Sequence, residues 1–522
     1  MKIREELTNK YQLEPLAVNT RYRDQSYLTV KPADFIPACL ALHKLCSSPV
    51  MMMFAEDKRA TRDCFRLNTA FYSAAEQHWF YVCLDLPAGA ESFPSLAKEI
   101  YSASLFEREI REMFGIKLIG SPDLRRLRLH DEVWPEGLFP LRKDFTPPAL
   151  SAPTGRSYQF IKGTGEGLFE IPVGPVHAGI IGPGHFRFSV AGEPIINLEI
   201  RLGFTHRGVE KLMEGKELAE ALRLSEGVSG DSAFAHSLAF CFATEKILDL
   251  TPPPRAVLLR AIYLELERMY NHVNDIGGIA LDVGFSFASV FASVMKEQLL
   301  QLNDLLTGSR YLKGVNLIGG VAKDLNEHSV TELSARLRTL AADLKELEGI
   351  LFNSASFMDR VDSTGILRAK TAEDLGIVGL AARASGLSRD WRATSPLYRS
   401  AGFEPIVLEA GDALARLKLR LQEFKQSTAL ITCFLAKLTS GEIVAGSSAV
   451  QEGYGLGVVE GWRGPVLYWL RLDPQGKIER CNIVDPSFHN WQGLAYAAQG
   501  EIIPDFPLCN KSFDLSYSGN DL

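Results

Sequence analysis

The sequence predicts an α+β protein, in which a small N-terminal α/β domain precedes a large, mainly helical domain with peripheral β segments. Phe65–Ser73 and His78–Leu86 alternate apolar and polar residues around a short turn, which is typical of a β-hairpin. Residues 146–156 read TPPALSAPTGR, and this proline-rich composition indicates a linker. Farther along, four segments show helical periodicity with few helix-breaking residues: Arg255–Asp275, Leu299–Leu306, Val330–Leu351 and Gly411–Leu438.

These signals divide the chain into a domain over residues 1–145, a linker over 146–170 and a second domain over 171–522. A chain of 522 residues is expected to build more than one core. Ile171–Arg201 is rich in glycine and proline and favours strands, and Ser440–Val484 turns β-like again. The glycines of Gly453–Gly457 have no helix after them, so we interpret them as a close backbone approach rather than a phosphate-binding loop.

Composition excludes several classes of function. The net charge is −7 and no block rich in lysine and arginine occurs, so no nucleic-acid partner is expected. The N-terminus lacks the apolar core of a secretory signal, and the longest nearly uncharged stretch, Val283–Met295, is too short to span a bilayer. The eight cysteines form no CxxC pair, which favours reduced, buried thiols over zinc or iron–sulfur sites. We expect a cytoplasmic protein that meets a membrane only through partners.

Residues 107–145 carry a compound motif, in which ERE and MFG are followed by PDLRR and then by PLRKDF. In order and spacing this segment resembles the signature of the C subunit of bacterial NADH:quinone oxidoreductase, respiratory complex I. Arginine suits interfaces because its planar guanidinium pairs bidentately with carboxylates. We therefore expect arginines of this kind to form ion pairs at a subunit contact: Arg108, Arg125, Arg126, Arg142 and, farther along, Arg207.

The second half resembles the partner of that subunit. The motifs GPVH at residues 174–177, GHFRF at 184–188 and THRGVEK at 205–211 are similar to two related families. One is the D subunit of complex I, and the other is the large subunit of group 4 membrane-bound [NiFe] hydrogenases, including the formate hydrogenlyase type. The chain thus resembles a fused C-plus-D subunit over nearly its whole length, and the resemblance implies the corresponding fold.

The resemblance also implies where a nickel–iron centre would lie, and the ligands are missing there. Hydrogenases of this family supply four cysteines, as CGIC before a helix and as DPCxxC near the C-terminus. With Phe234-Ala235-His236-Ser237 fixing the register, the four positions are Ser229, Ser232, Ser487 and Asn490. Nickel in this setting requires soft thiolate ligands. We expect no nickel, no other metal or cofactor bound by this chain, and no hydrogenase activity from it alone.

Quinone reduction is the other chemistry that the resemblance implies. The tyrosine that D subunits place near the quinone head group falls on Gly230, which has no hydrogen-bonding side chain. Hydrogenase relatives often carry an acid before PGHFR, and here that position is Gly182. His177 is retained in the first loop, although the loop differs in length from that of complex I. These changes weaken the hypothesis that the chain binds quinone, which stays an open alternative.

A polar pocket should remain where the metal centre was. If the family fold holds, seven residues converge there: Ser229, Asp231, Ser232, His236, Ser487, His489 and Asn490. One interpretation is a proton-handling or small-ligand site, with six candidate catalytic residues: His177, His185, Asp231, His236, Asp485 and His489. The other is a relic pocket whose polar groups only bond one another. Ser232 and His236 lie four residues apart without a GxSxG elbow, so we regard that pairing as chance.

Two functional hypotheses follow from the resemblance. In the first, the chain is a hydrophilic core subunit of a membrane-associated redox complex, on the cytoplasmic face, that couples electron transfer to ion movement. Its partners would be a complex I B-subunit-like iron–sulfur protein, a ferredoxin-like iron–sulfur subunit and antiporter-like and other membrane subunits, with the iron–sulfur clusters in the partners. In the second, the chain is a non-catalytic scaffold with a decayed active site. A quinone-reducing subunit with an altered pocket is a variant of the first.

Overall fold

The computed structural model describes residues 2–522 apart from 149–152, 162, 164, 166, 179–180, 447–448 and 450. Its N-terminal part is a five-stranded sheet in the order β1-β2-β5-β4-β3, in which only the β2–β5 pair is parallel. The predicted hairpin is present as β4 and β5. The elements are α1 (Lys2–Asn9), β1 (Ala17–Asn19), β2 (Gln25–Thr29), α2 (Phe35–Cys46), β3 (Met52–Asp57), α3 (Arg59–Arg62), β4 (Cys64–Ser73), β5 (His78–Pro87), β6 (Ser92–Pro94), α4 (Ser104–Phe114) and β7 (Lys117–Ile119).

A three-stranded antiparallel sheet opens the second half, as the glycine- and proline-rich segment predicts. It consists of β8 (Leu168–Val173), β9 (His185–Ala191) and β10 (Ile195–Arg201), with β9 in the centre. Part of the predicted linker 146–170 lies outside the described residues, and β8 begins inside it. The division of the chain at 145 and 171 stays a prediction.

The helical region contains the four predicted segments, within α8, within α9, within α10 and around α15. Both α9 and α15 pack against α8, the longest helix. The elements are α5 (Val209–Met213), α6 (Leu218–Ser225), α7 (Ala233–Leu248), α8 (Pro254–Asp282), α9 (Ser286–Thr307), β11 (Asn316–Leu317), β12 (Gly320–Val321), α10 (Glu327–Phe352), α11 (Ala355–Val361), α12 (Ala369–Leu375), α13 (Gly379–Ala384), α14 (Pro396–Ser400) and α15 (Ala413–Ala436). Periodicity did not reveal α7, because it is buried on nearly all sides.

The chain closes with a third sheet and three helices: β13 (Gly453–Glu460), β14 (Pro465–Leu472), β15 (Ile478–Val484), α16 (Pro486–Ala497), α17 (Phe506–Phe513) and α18 (Tyr517–Asp521). β13 lies directly on α7. A Cβ atom at Gly457 would collide with the carbonyl oxygen of Ala239, and one at Gly455 would lie 2.5 Å from that of Ala243. The glycine run is therefore a close backbone approach, as the sequence indicates.

The third sheet joins the two halves of the molecule. On one side β14 packs against α7. On the other side the ring of Trp469 lies 4.6 Å from that of Phe54 on β3, and its indole N–H donates to the Tyr27 hydroxyl at 3.0 Å. The N-terminal sheet and the third sheet thus share one apolar core. Among the described residues no helix combines the length and the apolar character needed to cross a bilayer.

Candidate functional site

The two segments that the sequence predicts as the vacated nickel site meet, and Ser516 joins them. Ser229 lies in the turn before α7, whereas Ser487 lies in the first turn of α16, where Asp485 caps the helix by accepting from the Ser487 N–H at 2.7 Å. The Ser516 N–H donates to the Ser487 hydroxyl at 2.9 Å, and the hydroxyls of Ser516 and Ser229 lie 2.8 Å apart. Ser516 therefore connects the two predicted ligand pairs, with its hydroxyl toward Ser229 and its backbone N–H toward Ser487. We call Ser229, Ser516 and Ser487 the hydroxyl chain.

Asp231 carries the charge of this pocket and is paired. The guanidinium of Arg463 donates to both carboxylate oxygens, at 2.9 and 2.7 Å, and the Ser229 hydroxyl donates at 2.8 Å. Burial raises the pKa of Asp231, but Arg463 outweighs burial and the net shift is downward. Ser232 accepts from the indole N–H of Trp462 at 3.0 Å. The carboxylate is thus held ionised beside the hydroxyl chain.

His236 and Asp485 form a second, fully buried pair. The His236 Nε2 lies 3.0 Å from the Asp485 carboxylate, and its Nδ1 lies 3.0 Å from the Tyr468 hydroxyl. If Nε2 donates to Asp485, Nδ1 accepts from Tyr468, so every polar atom of the imidazole is satisfied. Burial raises the pKa of Asp485, but His236, Arg463 and Ser487 together outweigh burial and the net shift is downward. The side chains of Ser232 and His236 share no hydrogen bond, in agreement with the interpretation of that pairing as chance.

His489 and Asn490 point away from the other five residues that we expected to converge. The His489 Nε2 lies 3.2 Å from the Met51 carbonyl oxygen, and its ring lies 5.4 Å from that of Phe106. Burial lowers the pKa of His489 to about 4. The Asn490 amide bonds both backbone groups of Val378, at 2.9 and 3.1 Å. Each side chain therefore fixes a neighbouring segment.

The two histidines of the first loop bond within that loop. The His177 Nε2 lies 2.7 Å from the Gly184 carbonyl oxygen, and the His185 Nδ1 lies 3.2 Å from that of Gly174. Residues 179–180 between them are outside the described residues. A Cβ atom at Gly182 would lie 2.6 Å from the ring of Tyr517. The tyrosine thus occupies the space where relatives carry an acid.

The five arginines predicted at a subunit contact all have partners within the chain. Arg108 donates to the carbonyl oxygen of Arg125 at 2.8 Å, and Arg125 pairs with Glu199 on β10. The other three donate to backbone carbonyl oxygens: Arg126 to Trp134, Arg142 to Phe114, and Arg207 to Gly227 and Val228. The pair of Arg125 and Glu199 holds the PDLRR segment against β10, and the role of the five arginines at a subunit contact stays a prediction.

The C-terminal segment, residues 514–522, covers the pocket. Besides Ser516, its Gly519 lies against the Asp485 carboxylate, where an added Cβ atom would come within 2.5 Å. The Asp521 carboxylate accepts from the Gly203 and Thr205 N–H groups, both at 2.9 Å. Sequence analysis did not identify Ser516, Arg463 or Tyr468, because only the tertiary fold brings these separate segments together.

The donors at this site do not fit a nickel–iron centre. Two of the hydroxyls are bonded to each other through Ser516, a third to Trp462, and the Asn490 amide is committed to Val378. Elsewhere in the described part of the chain, no three histidine, cysteine, aspartate or glutamate side chains are grouped as metal ligands. The arrangement can hold and relay protons through hydroxyl, imidazole and carboxyl groups.

Comparison with known proteins agrees with this geometry. Family models of the respiratory-chain NADH dehydrogenase 30 Kd subunit and 49 Kd subunit match residues 28–150 and 282–451. Formate hydrogenlyase subunit 5 of Escherichia coli is 32% identical over 510 residues, which are 96% of this chain and 89% of that protein. NADH-quinone oxidoreductase subunit 4 of Thermus thermophilus is 30% identical over 66% of this chain and 92% of its own length.

A solved structure shares the fold. It is titled as the membrane-bound sulfane sulfur reductase, an archaeal respiratory membrane complex, and one of its chains aligns with a TM-score of 0.65 and 25% identity. The alignment covers 69% of this chain and all of that one. It confirms the predicted α+β class with a large helical domain. The chain belongs to the family that unites C/D-type subunits of complex I with the large subunits of group 4 hydrogenases and formate hydrogenlyase.

Proposed function

We propose that the chain is a hydrophilic core subunit of a membrane-associated, complex I-like redox complex that couples electron transfer to ion translocation without a [NiFe] centre of its own. Relatives whose names include formate hydrogenlyase, membrane-bound hydrogenase and NADH-quinone oxidoreductase support membership of such a complex. The observation that carries the proposal is the hydroxyl chain Ser229–Ser516–Ser487 in place of the thiolates.

Loss of the metal follows from the chemistry of these groups. A serine hydroxyl is neutral at physiological pH, and nickel in this family needs thiolates that also bridge to iron. Each of the three serines is already engaged by a polar neighbour. Binding a metal here would break those bonds without supplying a ligand charge, so the chain is expected to contain no nickel.

The pocket offers proton chemistry in place of metal chemistry. Among the candidate catalytic residues, Asp231 accepts from the Ser229 hydroxyl, whereas Asp485 accepts from the Ser487 backbone N–H and bonds His236. These three therefore lie next to the hydroxyl chain. His236 can pass a proton between Tyr468 and Asp485 by changing its tautomer. His177, His185 and His489 bond elsewhere and rank behind these three.

The partners follow from the family. An iron–sulfur protein like the complex I B subunit and a ferredoxin-like subunit would bring electrons, and antiporter-like membrane subunits would move the ion, with this chain on the cytoplasmic face. Quinone is a second candidate ligand, because no described atom other than those of its chain neighbours lies within 4 Å of the position that a Cβ atom would take at Gly230. The Tyr270 hydroxyl donates to the carbonyl oxygen of the neighbouring Asp231 at 2.9 Å.

Substitution in the assembled complex separates a working pocket from a scaffold. Asp231→Asn and His236→Gln keep the shape and change the proton chemistry, and His489→Gln is the matched control outside the hydroxyl chain. Electron transfer is measured on the purified complex, with reduced methyl viologen as donor and a soluble quinone or polysulfide as acceptor. A loss of turnover in the first two variants only, with assembly intact, supports the proposal. Unchanged turnover in all three supports the scaffold.

A further inference from the structure

A second polar cluster, which we call the arginine cluster, lies among α8, α13, α15, the end of β13 and the segment before α14. It contains three arginines, four acids and one histidine, and every member is buried: Arg268, Arg383, Arg392, Glu265, Asp390, Glu423, Glu460 and His272. None of these residues belongs to the hydroxyl chain described above. The cluster is therefore a separate concentration of charge inside the protein.

The three arginines of the cluster form ion pairs only with acids of the same cluster, among the described residues. Arg383 reaches Glu423 at 2.6 Å, Glu460 at 2.9 Å and Asp390 at 3.3 Å. Arg392 reaches Asp390 at 2.7 Å, Glu265 at 3.3 Å and Glu423 at 3.7 Å. Arg268 reaches Glu265 at 3.1 Å and Glu423 at 3.8 Å. Within 4 Å these guanidinium groups meet no carboxylate of the described residues outside the cluster.

The charges in this closed set do not balance. Three guanidinium groups face four carboxyl groups, so the cluster carries one negative charge too many when His272 is neutral. An uncompensated charge away from water is expensive, and a buried acid usually takes up a proton instead. One proton must therefore reside on the histidine or on one of the acids.

His272 is a poor place for that proton. Its Nε2 lies 2.8 Å from the Glu423 carboxylate, but its Nδ1 is buried without a hydrogen-bond partner among the described residues. An imidazolium would leave the Nδ1 proton unbonded. Burial lowers the pKa of His272 to about 4, because it outweighs the attraction of Glu423. The histidine stays neutral near pH 7.

Glu460 is the acid with the weakest compensation. One carboxyl oxygen accepts from Arg383 at 2.9 Å and the other from the backbone N–H of Trp391 at 2.9 Å. The other acids each have at least two arginines within 4 Å, and Glu265 also accepts from the hydroxyls of Ser427 and Tyr398. Burial, together with nearby Asp390, raises the pKa of Glu460 to about 7 in spite of Arg383.

Two cavities are each lined by Glu460 and Trp391. One, of about 330 Å³, lies beside α7 and α8, and the paired Glu245 and Arg260 face it. The other, of about 400 Å³, lies between the N-terminal sheet and the segment that contains Arg389. Both cavities can hold water, so a proton can travel to and from a carboxyl group that is 3% exposed.

We propose that Glu460 is a proton-binding site that exchanges one proton with solvent through these cavities while Glu265, Asp390 and Glu423 stay ionised. The site would suit a complex that moves protons. It does not depend on the function proposed above, because protonation is measured on the full chain without turnover.

Infrared spectroscopy of the full chain between about pH 5 and 9 tests the proposal. We expect a carbonyl band of a protonated carboxylic acid that disappears as the pH rises through neutrality. Glu107, Glu109 and Glu267 also have raised pKa values and add to this band, so the readout is the difference between the parent and each variant. Glu460→Gln should remove one component of the titrating band, whereas the matched variant Glu265→Gln should leave the band undiminished. An undiminished band in Glu460→Gln, or the absence of any band that titrates near neutrality, would overturn the assignment.

Stability gives a second readout. Glutamine has the shape and charge of a protonated glutamate, so Glu460→Gln should match the parent only below the ordinary glutamate pKa of about 4.3. As the pH rises from there to neutrality, the variant should unfold at an increasingly higher temperature than the parent and keep that advantage above neutrality. The sign follows because the raised pKa of Glu460 lets the unfolded state ionise first, so the parent loses stability between the two pKa values. Glu265→Gln removes an ionised, paired acid and should lower the unfolding temperature at every pH. A Glu460→Gln variant that fails to fold, or that behaves like Glu265→Gln, contradicts the proposal.

Discussion

The hydroxyl chain and the arginine cluster are both polar groups in the interior, but they depend on different physics. In the hydroxyl chain, neutral groups bond one another, and one hydrogen bond contributes about 1 kcal/mol net. In the arginine cluster, guanidinium and carboxylate groups are buried as ion pairs, and removal of one partner leaves the charge of the other uncompensated. A family member can therefore lose its metal ligands and keep the fold, provided that its buried charges stay matched.

The largest expected effect is that of breaking the arginine cluster. Arg383→Leu removes the cation that contacts Glu423, Glu460 and Asp390, and it should cost about 3–5 kcal/mol of unfolding free energy. Urea denaturation of the full chain measures this loss. Arg310→Ala, which breaks an exposed ion pair with Glu297, is the control and should leave the midpoint unchanged. Equal midpoints for the two variants would refute the contrast between the regions.

Acid should also weaken the arginine cluster. His272 has a pKa near 4 in the fold and about 6.5 when unfolded, so stability falls as the pH drops through that window. His272→Gln should remove roughly 3 kcal/mol of this acid sensitivity. The comparison is the unfolding free energy at about pH 7 and pH 4.5, with the exposed His328→Gln as control. An unchanged pH dependence in His272→Gln would show that the histidine is charged in the fold.

A smaller effect is expected where packing supports the pocket. Gly457→Ala would push β13 away from α7, the helix that carries His236, and should cost about 1–3 kcal/mol. Gly349→Ala is the matched control, because nothing lies near its added methyl group and alanine favours the interior of α10 by about 1 kcal/mol. Thermal unfolding should separate the two in opposite directions. If both variants were stabilised, β13 and α7 would not be in close backbone contact at Gly457, contrary to the prediction.

The smallest effect belongs to the hydroxyl chain. Ser487→Ala removes the acceptor of the Ser516 N–H and should cost only about 1 kcal/mol. Ser293→Ala on the exposed side of α9 serves as the reference and should cost nothing measurable. A loss as large as that of Arg383→Leu would mean that the vacated pocket, too, is essential to the fold.

Local signals in the sequence were sufficient for most of the fold. The hairpin of β4 and β5, the helices α8, α9, α10 and α15 and the close approach at Gly457 all follow from periodicity or from glycine spacing. The helix α7 could not be predicted in this way, since a helix that is buried on nearly every side shows no hydrophobic periodicity.

The site could be predicted only in part. The register of Phe234-Ala235-His236 predicts Ser229, Ser232 and Ser487 in one pocket, and hydrogen bonds through Ser516 link Ser229 to Ser487. The DPCxxC alignment predicts that Asn490 also lies in this pocket, whereas its side-chain amide bonds the backbone of Val378. Ser516 and Arg463 come from segments that carry no motif, and their partners depend on how the third sheet and the C-terminal segment pack.

The central claim is that this subunit works in a membrane redox complex without nickel. The most direct test is purification of the tagged protein from its own membranes in mild detergent, with mass spectrometry of the partners and elemental analysis of nickel and iron. We predict iron–sulfur and membrane partners, iron in the complex and no nickel. Stoichiometric nickel, or a protein that purifies alone and free of metal, would contradict the account.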